Sequence, residues 1–98
     1  MWLFSKRRRC PFRDAPNTAA LVCCHVLDGV PILRVTHDAD DGMWQFLCGG
    51  EHDASQARVI ALREAYAMDH SVGELAGMPC GCTAVRNSKA AEWRVSKA

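Results

Sequence analysis

Asp41-Gly42-Met43-Trp44-Gln45-Phe46-Leu47-Cys48-Gly49-Gly50 sets large apolar side chains at alternate positions between two glycine-bearing turns. Trp44, Phe46 and Cys48 share one side of an extended chain; Met43, Gln45 and Leu47 share the other. Aromatic residues at a period of two predict a strand over Met43 to Cys48 whose Trp/Phe side faces a core. The alternation of Trp44 with Phe46 assigns Trp44 to packing rather than to an exposed binding surface.

Upstream, Asp38-Ala39-Asp40-Asp41-Gly42 is a polar loop, and Ile32 to His37 predicts a strand with Leu33 and Val35 inward. Pro31 at its start lacks an N–H, which suits a first or edge position. Asp28-Gly29 predicts a tight hairpin turn back to a strand over Ala20 to Leu27. That strand is apolar on both sides, as expected of a central one. Residues 1–19 lack apolar periodicity and contain Pro11 and Pro16, so they are expected to form a flexible basic arm ahead of a domain at 20–98.

Downstream, Asp53 with Gln56 has capping-box spacing, and Val59, Leu62 and Tyr66 lie at helical spacing. These predict the main helix, from Ala54 to Met68. Ser71 with Glu74 predicts a short helix over Val72 to Ala76, stopped by Gly77 and Pro79. Thr83 to Arg86 predicts a further strand, and Glu92 to Val95 is either a last strand or an irregular end that packs Trp93 on the core. The expected fold is a single α+β domain. It has a mainly antiparallel sheet, one main and one short helix, and the order β-β-β-α-α-β-β.

The chain has 98 residues, 49 % of them hydrophobic and 23 % charged, which suits one globular domain and not a disordered chain. Its formal charge of +1 hides an asymmetry. Lys6, Arg7, Arg8, Arg9 and Arg13 stand in an N-terminal stretch without acids. From Val35 to Ala57 there are acids and no Lys or Arg. A mildly acidic body argues against nucleic acid as the partner, because phosphate binding draws on Lys and Arg. No run of about 20 apolar residues is present, so no membrane span is expected. Met1-Trp2-Leu3-Phe4 precedes the basic cluster, the reverse of a secretory signal, which points to the cytoplasm and to reduced thiols.

Six cysteines and four histidines raise metal and thiol chemistry. Cys48, His52, Cys80 and Cys82 are the candidate zinc ligands, although C-x-C matches structural zinc knuckles poorly, and no metal or other cofactor is expected. Cys48 is also the candidate nucleophile, with His25 or His52 as its base. The Asp38–Asp41 loop fails the calcium-loop template, since positions 6 and 12 are Met43 and Gly49.

The Asp41–Gly49 stretch resembles a bacterial family of small domains of unknown function whose hallmark is Asp-x-Gly-Trp-x-Phe-Leu-x-Gly. Part of that family is described as predicted immunity proteins of polymorphic toxin systems. Val59, Ile60 and Leu62 stand where the family has an apolar helix. Asp69-His70-Ser71-Val72 with Glu74-Leu75, and Pro79-x-Gly81 with Ala84, Arg86 and Trp93, resemble its later motifs. Here Met43 stands between Gly42 and Trp44, where the family pattern has Gly next to Trp. The resemblance covers about Val22 to Val95. It implies a non-enzymatic domain that neutralises a protein partner, a basic toxin, by stoichiometric binding. The expected partner surface is Asp38, Asp40, Asp41, Glu51, His52 and Asp53, whose charge would steer association.

Overall fold

The computed structural model describes residues 10–50 and 53–97. It is an α+β domain around one sheet. The strands are β1 (Ala19–Cys23), β2 (Arg34–His37), β3 (Trp44–Leu47), β4 (Ala57–Ala61), β5 (Cys82–Val85) and β6 (Arg94–Lys97). The helices are α1 (Cys24–Leu27) and α2 (Leu62–Met68), with 3-10 segments at Ala54–Gln56 and His70–Leu75. Strand order is β4-β1-β3-β2-β5-β6. Every neighbouring pair is antiparallel except β1 with β3, which is parallel.

One row of side chains crosses the sheet in register: Val22 beside Phe46, Phe46 beside Val35, Val35 beside Ala84. All four are fully buried. Leu62, Ala65 and Tyr66 of α2, with Val72 and Leu75 of the 3-10 segment, join them in one core. Trp44 belongs to it and is 3 % exposed, as its alternation with Phe46 requires.

Five expectations about local structure change. The strand from Ala20 stops at Cys23, and Cys24–Leu27 is a helical turn. That turn explains why the segment is apolar at every position: Val26 is buried by helical rather than strand geometry. Asp28-Gly29 closes this turn instead of a hairpin, with the Asp28 N–H on the Cys24 carbonyl and Gly29 at φ +104. Strand β3 then sits between β1 and β2.

The expected main helix is divided. The Asp53–Gln56 capping box forms as predicted but caps only Ala54–Gln56. Ala57–Ala61 pairs antiparallel with all of β1, from Ala19↔Ala61 to Cys23↔Ala57. The free edge of β1 offers ladder bonds that outweigh continued helix in a stretch containing Val59 and Ile60. Val59 is 67 % exposed, so it is not part of a buried stripe. The helix resumes at Leu62, where the Glu64 carboxylate reaches back and accepts from the Ala61 N–H at 2.7 Å.

Asp69, not Ser71, caps the 3-10 segment, accepting from the Ser71 N–H at 3.0 Å. Finally, the part of the expected arm from residue 10 onward is built into the domain. Phe12 is 6 % exposed, and the carbonyls of Thr18 and Pro16 accept from the first amides of α2, Leu62 and Arg63. Residues 1–9 lie outside the described residues. Among the described residues no helix is long and apolar enough to cross a membrane.

Gly73 marks how closely this segment packs. A Cβ there would lie 2.8 Å from Tyr66 Cε1 and 2.9 Å from Pro11 Cγ. Gly73→Ala is expected to destabilise by about 1–3 kcal/mol through overpacking. Gly77→Ala, which meets nothing within 4 Å, should stay within about 0.5 kcal/mol of wild type. Urea midpoints of the two variants check this contrast.

Candidate metal and thiol sites

The parallel pairing of β1 and β3 brings their C-terminal ends out side by side. Strand β1 ends at Cys23 and turns into α1, which carries His25 in its first turn. Strand β3 ends at Leu47, and Cys48 follows, before the Gly49-Gly50 turn. Gly49 has φ +90, a conformation glycine adopts without strain. Cys48 Sγ consequently lies 3.7 Å from His25 Nδ1. The Gly50 N–H donates to the same sulfur at 3.4 Å. Cys23, His25 and Cys48 place one ligand atom each within 4.8 Å of one another. Cys23 is buried; the other two are half-buried.

This set differs from the one expected. Cys48 is present and meets His25, one of the two partners weighed for it. Cys80 and Cys82 are elsewhere. Cys82 is level with His37 and through it with Trp44, at the opposite end of β3 from Cys48. Four residues of extended chain separate those ends by roughly 13 Å, so these cysteines cannot share an ion with Cys48. His52 lies outside the described residues. Cys23 is absent from the expected ligand set because, inside an apolar run, it reads as a small core residue. The usable signal was Cys23-x-His25 together with a cysteine directly before a Gly-Gly turn.

A second thiol–imidazole pair occupies that opposite end. His37 closes β2, and its ring stacks on Trp44 at 3.8 Å and 13°. Its Nδ1 is 2.8 Å from the Met78 carbonyl oxygen. A carbonyl only accepts, so in the neutral ring it is Nδ1 that holds the proton and Nε2 that presents a lone pair. Cys80 Sγ lies 3.5 Å from that Nε2. No sequence pattern links these residues, which are 43 positions apart.

The acidic residues of the expected partner surface stand toward the two ends of β3, the strand they bracket in sequence. Asp40 and Asp41 are exposed on the loop before β3. Asp38 accepts from Gln45 Nε2 at 2.7 Å, and Asp41 from the Met43 N–H at 2.9 Å. Asp53 caps its 3-10 turn before β4, whose Ala57 pairs with Cys23 at the other end of the sheet. Glu51, like His52, lies outside the described residues.

The motif residues Asp69, Ser71, Arg86 and Trp93 converge, and they do so inside the structure. Arg86 donates to Asp69 at 2.6 Å, to Ser71 Oγ at 2.8 Å and twice to the Ile32 carbonyl. Its guanidinium carbon is 4.0 Å from the centre of the Trp93 ring. Burial raises the Asp69 pKa, but hydrogen bonds from Ser71 and Arg86 and the Arg86 charge outweigh it and hold the carboxyl below its ordinary value.

Comparison with protein-family models, curated proteins and solved structures gave no match to this chain.

Proposed function

We propose that this chain is a small zinc-binding protein whose ion is held by Cys23, His25 and Cys48. The convergence of their ligand atoms within 4.8 Å carries this reading. Two thiolates and an imidazole are the donor set zinc prefers. In tetrahedral geometry a sulfur and a nitrogen on one zinc sit about 3.6 Å apart, close to the 3.7 Å between Cys48 and His25. The Gly50 amide supplies the second hydrogen-bonding layer that steadies a metal-bound thiolate. Three protein ligands leave a fourth position for a water or another donor.

The test is metal content of protein purified without chelator, followed by zinc titration. About one equivalent is expected, with a thiolate charge-transfer band after cobalt substitution. Cys48→Ser should lose about 10- to 100-fold or more in affinity. Cys80→Ser and Cys82→Ser should bind as wild type does. Less than about a tenth of an equivalent, with no band on cobalt addition, would overturn the reading.

The immunity-type reading is a second proposal, compatible with the first. In it the domain occludes a basic protein partner. The supporting observation is the exposed pair Asp40 and Asp41, with Asp14 lining the same groove as Asp41. Replacing Asp38, Asp40 and Asp41 together with Asn is expected to slow association with a captured partner by about tenfold at low salt and to flatten its salt dependence. Asn keeps an acceptor toward Gln45 and the Met43 amide, so folding should be retained. Identical association rates across a salt series would count against electrostatic steering.

A further inference from the structure

We propose that Cys80 and His37 form a reactive pair that exchanges with small disulfides, making Cys80 a site of mixed-disulfide modification. Cys80 is the one exposed thiol among the six cysteines, all of which are free. Exposure alone would not distinguish it; the imidazole does. His37 is held on three sides: by stacking on Trp44, by its Nδ1–H on the Met78 carbonyl, and by the Gly81 N–H on its own carbonyl at 2.6 Å. The ring therefore presents Nε2 to the Cys80 sulfur in the tautomer that accepts a proton.

The step balances without any agent beyond the disulfide. The Cys80 thiol passes its proton to His37 Nε2. The thiolate attacks one sulfur of the disulfide along the S–S axis, forming a new S–S bond as the old one breaks. The departing thiolate takes the proton back from Nε2. One mixed disulfide at Cys80 and one free small thiol result, and His37 ends neutral.

The surroundings favour exchange over acyl transfer. An acyl intermediate needs N–H donors aimed at its oxyanion. The two amides that follow Cys80 are engaged within the chain: Gly81 N–H on the His37 carbonyl and Cys82 N–H on the Pro79 carbonyl. Displacement at sulfur develops no oxyanion. The thiol opens onto a cleft of about 360 Å³ lined by Arg13, Asp14, His37, Trp44 and Met78, room enough for a small molecule. Asp41 lines the adjoining groove. Two acids against one base at this mouth favour a neutral or cationic disulfide over an anionic one.

Cystamine is a suitable probe, applied to the full chain, quenched in acid and mapped by mass spectrometry. Cys80 is expected to be modified at least about tenfold faster than any other cysteine at pH 7. His37→Gln should slow Cys80 about tenfold or more at pH 7. Near pH 9.5, where ordinary thiols ionise unaided, the two proteins should agree within about twofold. A His37→Gln rate equal to wild type at pH 7 would overturn the proposal. So would an equal slowing at both pH values, which would mean that His37 only shapes access to the thiol. Circular dichroism of the variant guards against misfolding, and His37→Asn provides a second test should Gln disturb the stack on Trp44.

Discussion

Asp69→Ala is expected to cost about 3–5 kcal/mol of folding stability, which lowers Tm by more than about 10 °C for a chain of this size. The carboxylate is the only charged partner of Arg86 among the described residues, at 2.6 Å, and that arginine side chain is 1 % exposed. Removing it leaves a buried guanidinium compensated only by the Ile32 carbonyl, Ser71 and the Trp93 face. The network ties the segment before β2 to the 3-10 segment, the residue after β5 and the chain before β6, so the loss loosens several elements together. The pH dependence has a definite sign. The folded pKa of Asp69 is depressed below its ordinary value near 3.9. Its contribution is therefore fully present above that value and fades as pH falls through the lower folded pKa. Urea unfolding of wild type and Asp69→Asn at about pH 6, 4 and 2.5 should show the gap between them closing as acid is added. A gap that stays constant would mean the charge on Asp69 contributes nothing.

Phe12→Ala should be comparably damaging, at about 3–5 kcal/mol, the range for deleting a buried phenyl group. Phe12 is 6 % exposed, and its ring meets Trp44 edge-on at 4.8 Å and Phe46 at 6.2 Å. Edge-to-face pairs add about 0.5–1.5 kcal/mol beyond area burial. Trp44 also carries the stacked His37, so a cavity at Phe12 should disturb the shelf on which the Cys80 pair rests. The denaturant midpoint measures the first effect, and the cystamine rate at Cys80 the second. A stability within about 0.5 kcal/mol of wild type would return residue 12 to a peripheral role.

Features that depend on neighbours in sequence were legible without a structure. The strand around Trp44 and Phe46 lies within one residue of its expected ends. The Asp53–Gln56 box forms with both of its bonds, and an α+β domain follows from segregated strands and helices. Ala57–Ala61 was misread because Val59 and Ile60 satisfy either period over so short a run. Its partner, the edge of β1, lies nearly 40 positions back.

Phe12 was missed for a related reason. A single aromatic between two prolines has no periodicity to betray it, and only the assembled core offers it a place. Caps, turns and alternation are set by forces acting over a few residues, which this sequence alone determined. Strand order is set by which edges and apolar faces complete one another across the whole chain. The parallel β1–β3 pair that gathers Cys23, His25 and Cys48, and the β2–β5 pair that brings His37 near Cys80, are products of that global choice. The meeting of thiols with imidazoles 23 and 43 positions away therefore belongs to the tertiary structure.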